Sequence, residues 1–204
     1  MLKEKFYSLI SPYTQDKVLQ EELWKEIDTN YSDSRRYYHN LHHLENLLIE
    51  LDECKPHIKN ETAVLFALFY HDIIYNVNKK DNEEQSALLA AQRMQQLHCS
   101  NELIEGVKEM ILATKTHHIS GDNDINLFTD ADLSILGKER ATYFDYCKQI
   151  RKEYKIYPDL LYKPGRRKVL EHFLAMEHIF KTEIFRNKYE AAARKNIKEE
   201  LATF

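Results

Sequence analysis

At 204 residues the chain is long enough for one domain with a sizeable buried core. Hydrophobic residues make up 43% and charged residues 30%, with 29 basic against 33 acidic side chains. The resulting formal net charge of -4 argues against binding of extended nucleic acid or of an anionic membrane surface. Only four glycines and four prolines punctuate the sequence, which favours long helices over many short strands.

No apolar run approaches the length needed to cross a bilayer, and the start MLKEKFYSLI lacks the pattern of a secretory signal. Cys54, Cys99 and Cys147 are odd in number and far apart, so they read as reduced packing thiols of a cytoplasmic protein. Of ten histidines, five fall in two clusters, His39/His42/His43 and His117/His118.

Taken in chain order, residues 14–29 carry a helical stripe of Val18, Leu19, Leu23, Trp24 and Ile27. Residues 35–54 continue with Leu41, Leu44, Leu47, Leu48 and Leu51. A third helix starts at Asn60 or Glu61, and its residues 63–70 are all apolar or aromatic, the mark of a helix buried on every side. Asp81 and Asn82 are caps for a helix over 83–98, and Ser100 caps one over about 101–116. HISGDNDIN (118–126) reads as a loop, followed by a short helix ended by Gly137 acting as a C-cap. Residues 138–155 are helical, Tyr157-Pro158-Asp159 breaks the pattern, and LYKPGRRK is a turn into a helix over 166–180. A charged helix covers about 187–202. The expectation is an all-α, single-domain helical bundle, with a core over about 35–136 and flanking helices packed on it.

The chemistry concentrates at three places. His39 and His43 stand four apart, so on a helix they share a face. His71-Asp72 ends the most apolar helix, where a carboxylate is costly unless paired or bound to a metal. Asp130 and Asp132 sit against another apolar stretch. Neutral imidazoles with carboxylates suit a divalent ion such as Mn, Fe, Co, Ni, Zn or Mg. His57, His98, His172 and His178 stand alone and read as packed or solvated side chains.

The ordered set H…HD…D over helices resembles the HD-domain superfamily of metal-dependent phosphohydrolases. The likeness runs from Arg36 to Asp132 and extends to about residue 180 in a small bacterial branch. The pieces that carry it are Arg36-x-Tyr38-His39-x-x-x-His43, Asn82-Glu83 with Ser86-Ala87, Ala113-Thr114-x-x-His117, and Asp130-x-Asp132-Leu133-x-Ile135-Leu136-Gly137. Tyr38-His39-Asn40 and Ala131-Asp132-Leu133-Ser134 are also similar to the cyclic-nucleotide phosphodiesterase branch. The resemblance implies a bundle of the HD-domain type and a divalent ion on His43, His71, Asp72 and Asp132. It selects His43 over His42 and Asp132 over Asp130, and it implies that His39 donates a proton to the leaving oxygen.

The chemistry expected is hydrolysis of a phosphate ester of a nucleotide or small phosphorylated metabolite by a metal-activated water. His117 is a candidate for a second ion or for touching phosphate. Arg36, Lys115 and Arg166 are candidates for neutralising phosphate charge. Arg166 rests on one local anomaly: Lys163, Arg166, Arg167 and Lys168 crowd what reads as a helix N-terminus, against the dipole. A di-iron oxygenase and a non-catalytic nucleotide-binding module are the alternatives.

Overall fold

The computed structural model describes residues 1–204, and every regular element in it is helical. The chain divides into two compact units, Met1–Thr129 and Asp130–Phe204. No composition shift marks the division, because it falls inside one continuous helix, α7 (Asn123–Leu133). No helix is long and apolar enough to cross a membrane.

The first unit contains α1 (Leu2–Ile10), α2 (Lys17–Tyr31), α3 (Leu41–Cys54), α4 (Glu61–Tyr70), α5 (Asn82–Gln96), α6 (Asn101–Ala113) and the start of α7. A 3-10 turn over Lys55–His57 follows α3. The eight residues Ala63–Tyr70 of α4 are all buried, as the unbroken apolar run requires. α4 is the hub: α1, α3, α5 and α6 all pack on it, and Phe6 of α1 meets Phe69 edge-on with ring centroids 5.0 Å apart. Each large apolar side chain buried there contributes about 1.5–3 kcal/mol relative to exposure.

Asp16, Asn60 and Ser100 cap α2, α4 and α6 through their side-chain oxygens. α5 ends in a Schellman motif, with Cys99 N–H donating to Met94 O (2.9 Å) and His98 N–H to Gln95 O (2.9 Å). His98 fills its left-handed position at φ 57°.

Two boundaries in this unit differ from the sequence reading. The helix expected from 35 starts only at Leu41, because Asn40 is its N-cap and accepts from His42 N–H (2.9 Å) and His43 N–H (3.4 Å). The expected loop over 118–126 is helical from Asn123 onwards. Asp122 Oδ1 accepts from Asp124 N–H (2.9 Å), and buried Asp124 accepts from Lys59 N–H (2.9 and 3.1 Å) and Asn60 N–H (2.7 Å). Polar residues that look like loop composition are therefore start signals, and they fix α7 to the start of α4.

The second unit contains a 3-10 turn over Ser134–Gly137, then α8 (Arg140–Glu153), α9 (Asp159–Ala175), α10 (Glu183–Phe185), a π-helical turn over Arg186–Glu190, and α11 (Ala191–Leu201). Gly137 does not act as a left-handed cap; a Cβ there would collide with Tyr189, so close approach is what requires glycine. α9 starts at Asp159, one residue after Pro158, and runs through Pro164 instead of starting at Arg166. Pro164 lies in the second turn and removes only the hydrogen bond to the Leu160 carbonyl, on a residue that is 84% exposed and open to water.

α9 also stops at Ala175, short of the expected 180. Residues 179–182 are instead held by two carboxylates. Glu190 accepts from Ile179 and Phe180 N–H (3.1 Å each), and Asp130 accepts from Lys181 N–H (2.8 Å) and Thr182 N–H (2.7 Å).

Candidate metal centre

The site starts from the end of α4. His71 is its C-cap residue and is fully buried. Its Nδ1 lies 3.0 Å from the Leu68 carbonyl oxygen, which can only accept, so Nδ1 carries a proton and, in the neutral ring, Nε2 carries the lone pair. That lone pair faces His43 Nε2 at 3.1 Å. His43 is 4% exposed on the first turn of α3, whereas His42 next to it has a 76% exposed side chain turned toward Glu45. Of the two neighbouring histidines, His43 is the buried one and the one that converges with His71.

Asp132 completes the group. One ligand atom from each of His43, His71 and Asp132 lies within 4.8 Å of the other two. Helix register explains why Asp132 is the acid here. Phe128, one helical turn earlier and on the same face of α7, packs edge-on against the His71 ring at 5.6 Å and 86°. Asp130 is two residues back, on the opposite face. It is fully buried and accepts from Lys181 N–H, Thr182 N–H and Thr182 Oγ1–H (2.7 Å), with the Lys181 ammonium 3.5 Å away. Asp130 is thus a fastener of the second unit.

Asp72 approaches both imidazoles, its Oδ2 lying 3.2 Å from His71 Nε2 and 3.9 Å from His43 Nε2. Burial by itself would push its carboxyl up. The adjacent His71, then the His39 and His43 rings, outweigh that and hold it well below the usual carboxylate range. Two imidazole nitrogens with a carboxylate at this spacing form a donor set that fits a divalent first-row ion.

His39 precedes Asn40, so it lies outside the helix and the shared-face argument does not apply to it. It reaches the site through ring packing, stacked on Tyr75 at 4.2 Å and 5.9 Å from the His43 ring. His117 follows α6 in a left-handed conformation (φ 52°), half-buried, with its N–H on Ala113 O. It is not one of the three converging ligands. Lys115 donates to Lys80 O (2.7 Å) and pairs with Glu84.

Arg166 lies inside α9, so the dipole anomaly that singled it out does not exist; the true first turn carries Asp159. Its side chain is 8% exposed and forks onto Glu200 at 2.9 and 3.0 Å.

Arg36, expected from sequence to neutralise phosphate, is joined here by Tyr31, Asn82 and Ser86, for which the sequence offered no role at the site. The segment after His71 is gripped from two sides. Tyr31 Oη accepts from Asp72 N–H (3.2 Å), and Arg36 donates to Asp72 O (2.6 Å), to Ile73 O (2.8 Å) and, more weakly, to His39 O (3.3 Å). Across from these, Ser86 Oγ accepts from Ile74 N–H (3.1 Å) and donates to Ile74 O (3.3 Å). One turn earlier on α5, Asn82 does the same for Asn76 at 3.0 and 3.1 Å. The Asn-Glu-x-x-Ser spacing is therefore a backbone clamp with a pitch of one helical turn on α5 and two residues on the loop. The signal that could have found it is that spacing, directly after a loop that starts at a ligand. Glu83, between the two clamps, is half-buried, and burial pushes its carboxyl up.

Comparisons with protein-family models, with curated proteins and with solved structures find no match to this chain.

Proposed function

We propose that the chain is a metal-dependent phosphohydrolase of the HD-domain type, acting on a phosphate ester of a nucleotide or small phosphorylated metabolite. The observation that carries this reading is the convergence of His43, His71 and Asp132, with His71 locked in the ligating tautomer by Leu68. The order of these residues in the sequence and their resemblance to the superfamily supply the rest.

In this reading His43, His71 and Asp132 hold the ion, with Asp72 beside them. A bound divalent ion supplies an acidified water and polarises a phosphoryl oxygen. In the same reading His39, stacked on Tyr75 and near the His43 ring, gives a proton to the leaving oxygen. Tyr75 restricts the imidazole to one plane, which favours transfer along one line.

The test is release of phosphate or nucleoside from a broad panel of phosphomonoesters and nucleotides with Mn, Co, Ni or Mg, against an Asp132→Ala control. Metal-stimulated turnover lost in the control is the expected result. No turnover above that control in any metal would overturn the reading. Two irons per chain with oxygen consumption would replace it with oxygenase chemistry.

A further inference from the structure

We infer that Arg36 is the positioning residue that sets the spacing between the proton-donor segment and the metal-ligand segment, and that it is not a phosphate-binding cation. The inference rests on the metal reading above but assigns Arg36 a different job from charge neutralisation.

Three main-chain carbonyls occupy the guanidinium. Nη1 donates to the main-chain oxygen of Asp72 at 2.6 Å and to that of His39 at 3.3 Å, while Nη2 donates to Ile73 O at 2.8 Å. Two of these acceptors belong to the segment that leaves His71, and the third belongs to His39 itself. One rigid planar group therefore ties the main chain of His39 to that of Asp72 and Ile73, the two residues that follow His71. A lysine cannot do this, because its ammonium is a point donor without the fork. The plane is also held in place, 5.0 Å from the Tyr31 ring and 5.5 Å from the Tyr75 ring.

Tyr75 is the ring on which His39 stacks, and Tyr31 Oη accepts the Asp72 N–H. Arg36 thus packs beside the ring that stacks on His39 and the ring whose hydroxyl holds the Asp72 N–H. Its in-plane N–H bonds point at carbonyls already 2.6–3.3 Å away. Three of its five N–H bonds are so committed, and a phosphate that took any of these three would displace a carbonyl and loosen the alignment of both partners. Partners that orient a ligand in this way are typically worth about 10–100-fold in metal affinity.

The experiment compares the unaltered chain with Arg36→Lys and Arg36→Ala. It measures Mn2+ affinity, affinity of the Mn2+-loaded chain for inorganic phosphate, and amide hydrogen exchange over residues 72–76. The expected result for Arg36→Lys is Mn2+ affinity lowered about 10–100-fold and exchange over 72–76 faster by about tenfold or more, with phosphate affinity within about twofold and helical content unchanged. Added guanidinium, too dilute to unfold the chain, restores Mn2+ binding to Arg36→Ala, whereas ammonium does not; a purely structural loss would not respond to either.

Phosphate affinity falling with Mn2+ affinity intact would overturn the proposal in favour of a phosphate cation. So would unchanged exchange over 72–76. If the unaltered chain binds no Mn2+, the metal reading fails by itself, and the exchange data still decide the positioning role.

Discussion

His43 and His71 face each other through their Nε2 atoms at 3.1 Å, and the His71 nitrogen carries a lone pair because its proton is committed to the Leu68 carbonyl. In a fully buried setting that contact needs either a proton from His43 or a cation shared by both rings. Asp132 lies within 4.8 Å of both, so the second option satisfies three groups at once.

His43→Ala and Asp132→Ala should each lower divalent-metal affinity by more than about 100-fold, since loss of an orienting partner alone reaches that size. His42→Ala, at an exposed position, should change affinity by less than about twofold. Titration calorimetry together with elemental analysis of the purified chains checks both. Equal losses at His42 and His43 would count against the assignment.

Asp130 gives the opposite expectation. Its three hydrogen bonds and the buried Lys181 ammonium predict that Asp130→Ala costs about 3–5 kcal/mol, because a buried cation loses its partner. Metal stoichiometry, measured well below the melting temperature, should be unchanged. Urea unfolding beside metal analysis separates the two effects.

The all-helical class and the buried α4 were legible because periodicity and an unbroken apolar run are local properties. The ligand types were legible because His-Asp at the end of such a helix has few structural uses. Less visible was whatever depends on partners far away in sequence. Asp130 and Asp132 look alike as letters; the resemblance selects Asp132, and the physical reason lies in the face of α7 and in the main chain at 181–182. Arg36 and Arg166 both invite a phosphate role from sequence, yet one donates to carbonyls 36 and 37 positions on and the other forks onto Glu200. The start of α7 was hidden because Asp122 and Asp124 cap a helix with residues that equally well make a loop.

Arg166 and Glu200 are almost fully buried, with side chains 8% and 6% exposed, and Tyr143 Oη donates to the same carboxylate. Arg166→Met should therefore destabilise the chain by about 3–5 kcal/mol, leaving Glu200 charged and without its cation. Arg166→Met combined with Glu200→Leu should cost clearly less than the sum of the single changes. Chemical denaturation of all three variants tests this. A loss of activity at Arg166→Met with stability intact would return the residue to a substrate-binding role.

Glu200 also sets an acid limit. Burial pushes its carboxyl up, but the Arg166 fork and Tyr143 outweigh that, so its folded pKa is lowered. The proton then prefers the unfolded chain. The contribution to stability is complete above the unfolded value of about 4.3 and is lost as pH falls through the lower folded value. Stability measured in steps below pH ~4.3 should fall more steeply for the unaltered chain than for Glu200→Gln. Parallel slopes would mean that the carboxyl is not held down.

Two non-glycine residues, His98 and His117, have left-handed backbones, at φ 57° and 52°. For such a residue the conformation costs about 1–2 kcal/mol, partly offset in a glycine variant by the freer unfolded chain. His98 occupies the Schellman position after α5, where glycine is the usual choice, and its sequence surroundings give it no chemical role. His98→Gly should raise stability by up to about 1 kcal/mol and leave metal binding and turnover unchanged. His117→Gly relieves the same strain after α6, so its stability should also rise, or at least hold. If the imidazole touches the ion or the phosphate, activity falls in the same variant. A variant that is more stable and less active would mark His117 as a strained functional residue, and one that is more stable and fully active would remove it from the site. Thermal unfolding and turnover measured on the same two preparations decide between these outcomes.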